Sequence, residues 1–280
     1  MNQDAEFRQW LTTLADHNLA QAIKHRTRHV AHGSLKEESG VLLFSIGQPS
    51  LNGHFNGLLP LDPQISPTAV ISQGQEFFAS LNVDHTIWIR EHLDEELERV
   101  VQAEGYQIRR RPGTPGMFVQ RPYDSITIPP GIEIRSVTTE ADAQAFTAVV
   151  SSAFDIPQDT GLAVFASVAA LNSPTVRAFV IHQREKTVAT ALTIVSGKVA
   201  GIYWVGTVAE ARGQGLGELS TKVATNAGFE LGAEVVILQA SLAGEPIYRR
   251  IGYQTFTLYK WYSLAEGVRS SEMYSGLLVR

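Results

Sequence analysis

Residues 199–217 constrain the fold more than any other stretch of this chain. An apolar, β-prone run over residues 199–208 feeds a turn, Val205-Gly206-Thr207-Val208-Ala209-Glu210-Ala211-Arg212-Gly213-Gln214-Gly215-Leu216-Gly217, and an amphipathic helical pattern follows. Leu216, Leu219, Val223, Ala227 and Leu231 fall on one helical face, Gly232 closes the helix, and residues 235–238 read as a short buried strand. Strand, helix and strand in this order cross over to a parallel pair. The first turn of a helix leaves its N–H groups unpaired and its dipole adds positive potential, so this junction suits an anion.

Composition narrows the setting. The chain has 280 residues, enough for one large domain or two ordinary ones. Its net charge of −5 argues against a nucleic-acid partner. The absence of cysteine excludes disulfides, thiolate metal sites and a cysteine nucleophile. No histidine pattern for a metal is present. No signal peptide is read at the N-terminus, and no apolar run approaches the roughly 20 residues that span a bilayer. The expectation is a soluble cytoplasmic protein without a membrane partner.

Along the chain, Phe7, Trp10, Leu11, Leu14, Leu19, Ala22 and Ile23 recur at helical spacing, with Asp4 as a candidate cap. Residues 40–59 read as strands and turns, 67–81 as a helix opened by Pro67, and 83–90 as a strand. A helix over residues 93–101 ends at Gly105, and strands at 106–110 and 117–120 follow. Residues 121–131 contain three prolines and read as a linker, which puts a boundary near Ile126. The expected domains are 1–125 and 126–265, with a tail at 266–280. The second domain reads strand, helix, helix, three strands, helix, strand, helix, strand. That order is a mixed α/β sheet, not a run of βαβ units, so a Rossmann fold is disfavoured.

The turn itself is Arg-x-x-Gly-x-Gly, from Arg212 to Gly217. It has neither the spacing of a dinucleotide fingerprint nor the Gly-Lys-Ser/Thr of a P-loop. Downstream come Leu238-Gln239-Ala240-Ser241 and then Pro246-Ile247-Tyr248-Arg249-Arg250-Ile251-Gly252-Tyr253. A strand, this loop, a helix, a strand and a helix carrying Tyr four residues before Gly-Tyr resembles the GNAT acyltransferase superfamily. The resemblance spans roughly residues 132–262. It implies binding of acetyl-CoA or another acyl-CoA and transfer of the acyl group to an amine, whether a small molecule, an amino acid derivative or a peptide terminus.

By the same resemblance, the N–H groups of Gly213, Gln214, Gly215, Leu216 and Gly217 would take the CoA pyrophosphate, with Arg212 orienting the loop. The backbone of Val205, Gly206 and Thr207 would bond the pantetheine arm. Tyr248 would be the general acid, since a tyrosine with pKa near about 10 can protonate a thiolate whose acid has a pKa of about 8.5. Ser241 stands where the family often has Asn and is expected to contact CoA. Gly244 stands where Ala is common. No general base is identified: Glu210, Asp155, His182, Tyr203 and Trp204 read first as packing or surface residues, and the resemblance implies that the amine can be deprotonated through water, as in many members of the superfamily.

The two halves end alike. Glu104-Gly105-Tyr106-Gln107 parallels Ile251-Gly252-Tyr253-Gln254, and aligning the glycines puts Val101 opposite Tyr248. Where the glycine loop would stand, the first half reads Asp62-Pro63-Gln64-Ile65-Ser66-Pro67. The expectation is two GNAT-like domains in tandem, the first degenerate and the second carrying the acyl-CoA site. Two other functions compete: a non-catalytic CoA-binding regulator, and an aminoacyl-tRNA-dependent transferase, against which the acidic balance and the intact loop both count. The sequence leaves acceptor, acyl length and oligomeric state open, a homodimer included.

Overall fold

A computed structural model describes residues 3–48 and 54–264; the tail expected at residues 266–280 lies outside the described residues. In chain order come α1 (Gln3–Arg28), β1 (Ser34–Glu38), β2 (Val41–Ser45), β3 (Gly57–Pro60), α2 (Pro67–Leu81), β4 (Thr86–Arg90), α3 (Glu95–Ala103), β5 (Gln107–Ile108) and β6 (Thr114–Val119). The second half continues with β7 (Ile132–Ser136), α4 (Glu140–Phe154), α5 (Gln158–Phe165), α6 (Val168–Leu171), β8 (Asn172–Ser173), β9 (Val176–Gln183) and β10 (Lys186–Ser196). It closes with β11 (Val199–Thr207), α7 (Leu216–Glu230), β12 (Val235–Gln239), α8 (Glu245–Arg250) and β13 (Gln254–Ser263). No helix among the described residues is long and apolar enough to cross a membrane.

These elements form two compact units whose limits differ from the boundary read near Ile126. Unit 1 joins the chain up to Ala31 to Pro115–Phe256, and unit 2 joins His32–Thr114 to the described residues from Thr257 onward. Two segments explain the difference. α1 packs on the sheet of the second half, and each half supplies a strand to the other's sheet: β6 pairs with β12, and β13 pairs with β4. Val235-Val236-Ile237-Leu238 is buried throughout, so its backbone needs a partner on both edges. Asp4 does not cap α1, because the helix already begins at Gln3; its carboxylate lies in the first turn, where the dipole favours it.

Unit 1 has the strand order β7-β9-β10-β11-β12-β6. β7, β9, β10 and β11 are mutually antiparallel, β11 and β12 are parallel, and β12 and β6 are antiparallel. The parallel pair is the crossover that the sequence order demands. α7 packs on one face, close enough that a Cβ at Gly228 would lie 2.7 Å from the Ala200 Cβ. α1 covers the other face. Its fully buried Asn18 donates to the Ile194 carbonyl at 3.0 Å and to Ser196 Oγ at 2.8 Å, and accepts from the Tyr203 hydroxyl at 2.7 Å. A buried amide with its donors and acceptor satisfied fixes the helix register better than apolar packing alone.

Unit 2 repeats the plan on a smaller scale. β1, β2 and β3 are antiparallel, β3 and β4 are parallel across α2, and β4 and β13 are antiparallel. The helix before the glycine ends identically in both units. Tyr106 N–H donates to the Val101 carbonyl at 3.0 Å, and Tyr253 N–H donates to the Tyr248 carbonyl at 2.9 Å. Gly105 and Gly252 take φ of +85° and +98°, which is why the sequence keeps glycine at both places.

A titratable ring lies against the core of unit 2. His85 stacks on Phe78 with centroids 4.2 Å apart, and burial lowers its pKa to about 4. The unfolded chain binds this proton near pH 6.5, so the folded state loses stability as pH falls from there toward 4. The full loss corresponds to roughly 3 kcal/mol by linkage. Denaturant titrations between pH 7 and 4 should show it, and His85→Phe, which keeps the stack, should remove most of that slope. An unaltered slope in the variant would mean that other groups carry the acid sensitivity.

Candidate functional site

The site is built where β11 and β12 part. Their register runs from Val199 opposite Val235 to Ile202 opposite Leu238 and stops there. β12 stays with β6, Gln239 facing Gly116 and Ala240 N–H donating to the Pro115 carbonyl at 2.8 Å. β11 stays with β10, Thr207 facing Ala189. Residues 203–207 therefore have no β12 partner, and the expected pantetheine contacts, Val205, Gly206 and Thr207, lie on this parted edge.

A bulge marks the point of divergence. Thr190 faces Gly206 and Leu192 faces Tyr203, so β11 carries one residue more than β10 across this interval. Trp204 lies in the bulge with φ of +52°, a left-handed conformation unusual for a large aromatic residue and costing on the order of 1–2 kcal/mol. Thr190 Oγ1 donates to its carbonyl at 3.0 Å, and its ring meets Phe154 and Phe165 edge-on, with centroids 5.3 and 4.8 Å away. Sequence reasoning missed this bulge, because nothing in Tyr203-Trp204-Val205 announces a left-handed aromatic. Gly206 is small because α4 passes over it: a Cβ would lie 2.9 Å from the Ala153 Cβ.

Beyond β11 the chain makes one 3-10 turn, Ala209–Ala211, and enters the glycine loop. Gly213 and Gly215 have φ of +77° and +78°, and a Cβ on either would meet nothing within 4 Å among the described residues. The glycines thus serve the backbone conformation and leave the surface above them open. Gly215 is the N-cap of α7 and supplies no side-chain cap. The N–H groups of residues 213–218 donate no hydrogen bond among the described residues, and the first bond of the helix runs from Leu219 N–H to the Gly215 carbonyl at 3.0 Å. Arg212 Nε donates to the Thr207 carbonyl at 3.2 Å, which ties the loop to the end of β11. Gln214 accepts from Gln183 Nε2 at 2.8 Å, which anchors the loop to β9. The arrangement can cradle an anion with backbone donors and the helix dipole.

The matching helix of unit 2 is closed. Ser66 is the N-cap of α2, its hydroxyl accepts from Ala69 N–H, and Pro67 occupies the first turn. A side chain and a missing donor take up what α7 leaves free. Val101, opposite Tyr248 in the repeat, is fully buried.

Tyr248 lies on α8, which is held to α7 by Glu218. That carboxylate accepts from Lys222 at 2.7 Å and from Arg250 at 2.9 Å, and the two bonds keep its pKa below the usual value. Tyr248 is 8% exposed and packs with Leu238, Ala240 and Tyr253. Burial pushes its pKa up to about 12, opposed by a hydrogen bond with the Thr221 side chain. Ser241 is exposed and closes the turn into α8: its hydroxyl accepts from Gly244 N–H at 3.0 Å, and its carbonyl accepts from Glu245 N–H at 2.9 Å. Among the residues considered as bases, Tyr203 is bonded to Asn18 and burial raises its pKa well above the ordinary value. Glu210 is exposed in the 3-10 turn, and Asp155 is the left-handed cap of α4, with φ of +53°. His182 sits on β9, where its Nδ1 meets Thr187 Oγ1 at 3.2 Å.

No family model and no curated protein matches the sequence. Solved structures do match in shape. A GCN5-related N-acetyltransferase from Kribbella flavida is 20% identical over 90% of this chain and 97% of its own, with a TM-score of 0.68. A tandem GNAT protein from the clavulanic acid biosynthesis pathway is 13% identical over 94% of this chain and 95% of its own, with a TM-score of 0.59. A GCN5-related N-acetyltransferase from Sphaerobacter thermophilus is 18% identical over 74% of this chain and 71% of its own, with a TM-score of 0.58. With its crossover, parted strands and repeated units, the chain has the GNAT fold, built twice in tandem.

Proposed function

We propose that unit 1 is an acyl-CoA-dependent N-acyltransferase that moves an acetyl group from acetyl-CoA to an amine. One observation carries this reading. The helix behind the parted strands of unit 1 begins with uncapped, open N–H groups, whereas its counterpart in unit 2 is capped by Ser66 and Pro67. An anion site beside an unpaired strand edge fits a long ligand with a pyrophosphate at one end and amides along its arm. The donors of Gly213, Gln214, Gly215, Leu216 and Gly217 take the pyrophosphate, and Arg212 holds the loop to Thr207. The edge of Val205, Gly206 and Thr207 bonds the pantetheine arm, and Ser241 contacts CoA.

The amine nitrogen attacks the thioester carbonyl, the carbon–sulfur bond breaks, and the proton lost by nitrogen balances the one gained by sulfur. Tyr248 donates to the departing sulfur and is reprotonated within the turnover. At a pKa of about 12 it enters each cycle neutral. Complete transfer to a thiolate whose acid has a pKa near about 8.5 would be uphill by roughly 5 kcal/mol if it stood alone, so transfer is coupled to proton loss from the amine. Acceptors are small-molecule or peptide amines, with no nucleic acid involved, and the compartment is the cytoplasm.

Three measurements test the reading. Gly215→Glu should abolish acetyl-CoA binding in calorimetry, through bulk and charge at the pyrophosphate; unchanged affinity would overturn the site. Tyr248→Phe should lower kcat about 10–100-fold with KM for acetyl-CoA nearly constant, because the lost interaction belongs to the transition state. The pH profile of kcat should rise toward the pKa of the amine and show no descent from Tyr248 below pH 10, since the phenol is protonated below about 12. Tight CoA binding without turnover across an amine library would point instead to a regulator.

A further inference from the structure

Gly244 opens the turn into α8 with φ of −82° and ψ of −35°, an ordinary right-handed helical conformation. Nothing in its backbone requires glycine. Its surroundings do. A Cβ at this position would lie 2.6 Å from Cε2, 2.9 Å from Cζ and 3.0 Å from the hydroxyl oxygen of Tyr248. Side chains on a helix lean toward its N-terminus, so Tyr248 projects back over the residue four positions earlier. The part of the phenol that fills the vacant space is its hydroxyl end.

Gly244 is itself held in place. Its N–H donates to Ser241 Oγ at 3.0 Å, and its carbonyl accepts from Tyr248 N–H at 3.0 Å. The phenol also shares a hydrogen bond with the side chain of Thr221, which is fully buried on the second turn of α7 and donates its hydroxyl to the Gly217 carbonyl at 2.8 Å. We infer that Gly244 is a positioning residue for Tyr248: its missing Cβ lets the phenol hydroxyl sit back against the start of α8. This rests on the acyltransfer reading for its catalytic consequence but not for its geometry.

Ordinary contact with a Cβ begins near 3.4 Å, so Gly244→Ala, with its Cβ at 2.6 Å, must drive the ring outward by most of an ångström. A donor displaced by that much loses alignment with a reacting atom. The test places 3-fluorotyrosine at position 248 and follows its 19F resonance through an alkaline titration, beside steady-state kinetics of the unlabelled proteins. Gly244→Ala should lower the titration midpoint, because the phenol becomes more hydrated, and should reduce kcat about tenfold while KM for acetyl-CoA stays within about twofold. A midpoint and kcat equal to the parent's would overturn the inference. Should Gly244→Ala fail to fold, the parent protein carries the test: its fluorophenol midpoint should lie above that of the free fluorotyrosine, and a midpoint equal to the free residue's would show that the hydroxyl is not seated over Gly244 and would overturn the inference. The resonance reports on the phenol even without turnover, so failure of the acyltransfer reading and failure of the positioning role are separable.

Discussion

Backbone hydrogen bonding governs this molecule more than any side chain does. A parallel strand pair is expected to bond along its whole length, yet β11 and β12 pair for four residues and part after Ile202 and Leu238. Each strand keeps a ladder with its other neighbour, β12 with β6 and β11 with β10, beyond the point of divergence. What it leaves is a stretch of β11 without a β12 partner, ending at a helix whose first amides donate no hydrogen bond among the described residues. The bulge at Trp204 and the close approach of α4 to Gly206 belong to the same local event, because the strand has to bend away while still packed on both faces.

The tandem repeat supplies an internal control. Both units place a helix between a parallel strand pair, and both end the next helix with a left-handed glycine and the same Tyr N–H bond. They differ at the helix N-terminus. Unit 2 fills it with Ser66 and Pro67; unit 1 leaves it open behind Gly213 and Gly215. They differ again where Val101 faces Tyr248 across the alignment. Unit 1 thus holds an open helix N-terminus and a phenol together, and unit 2 holds neither at the matching places.

The chemistry of Tyr248 follows from burial. Its ring is packed among apolar groups and its hydroxyl end lies over Gly244, so the charged phenolate is disfavoured and the neutral donor persists. A phenol that remains neutral is suited to stabilising negative charge as it forms on a leaving atom, and poorly suited to acting as a base. The same argument removes Tyr203, whose hydroxyl is committed to Asn18 in the register lock of α1.

Local patterns were legible in the sequence. The glycine turn between a strand and a helix, the parallel pair of the crossover and the alike Gly-Tyr endings could be read there, because each depends on residues near one another in the chain. Strand exchange between the halves, the clamp of α1 through Asn18, the bulge at Trp204 and the seat of the phenol over Gly244 could not be read there. They depend on which backbone edge meets which partner and on how closely two surfaces pack, and residues far apart in sequence settle both. The sequence by itself determined the strand–glycine turn–helix unit and its single occurrence; the tertiary structure decided which strands part beside it and how deep the phenol lies, because pairing and packing are satisfied only across the whole fold.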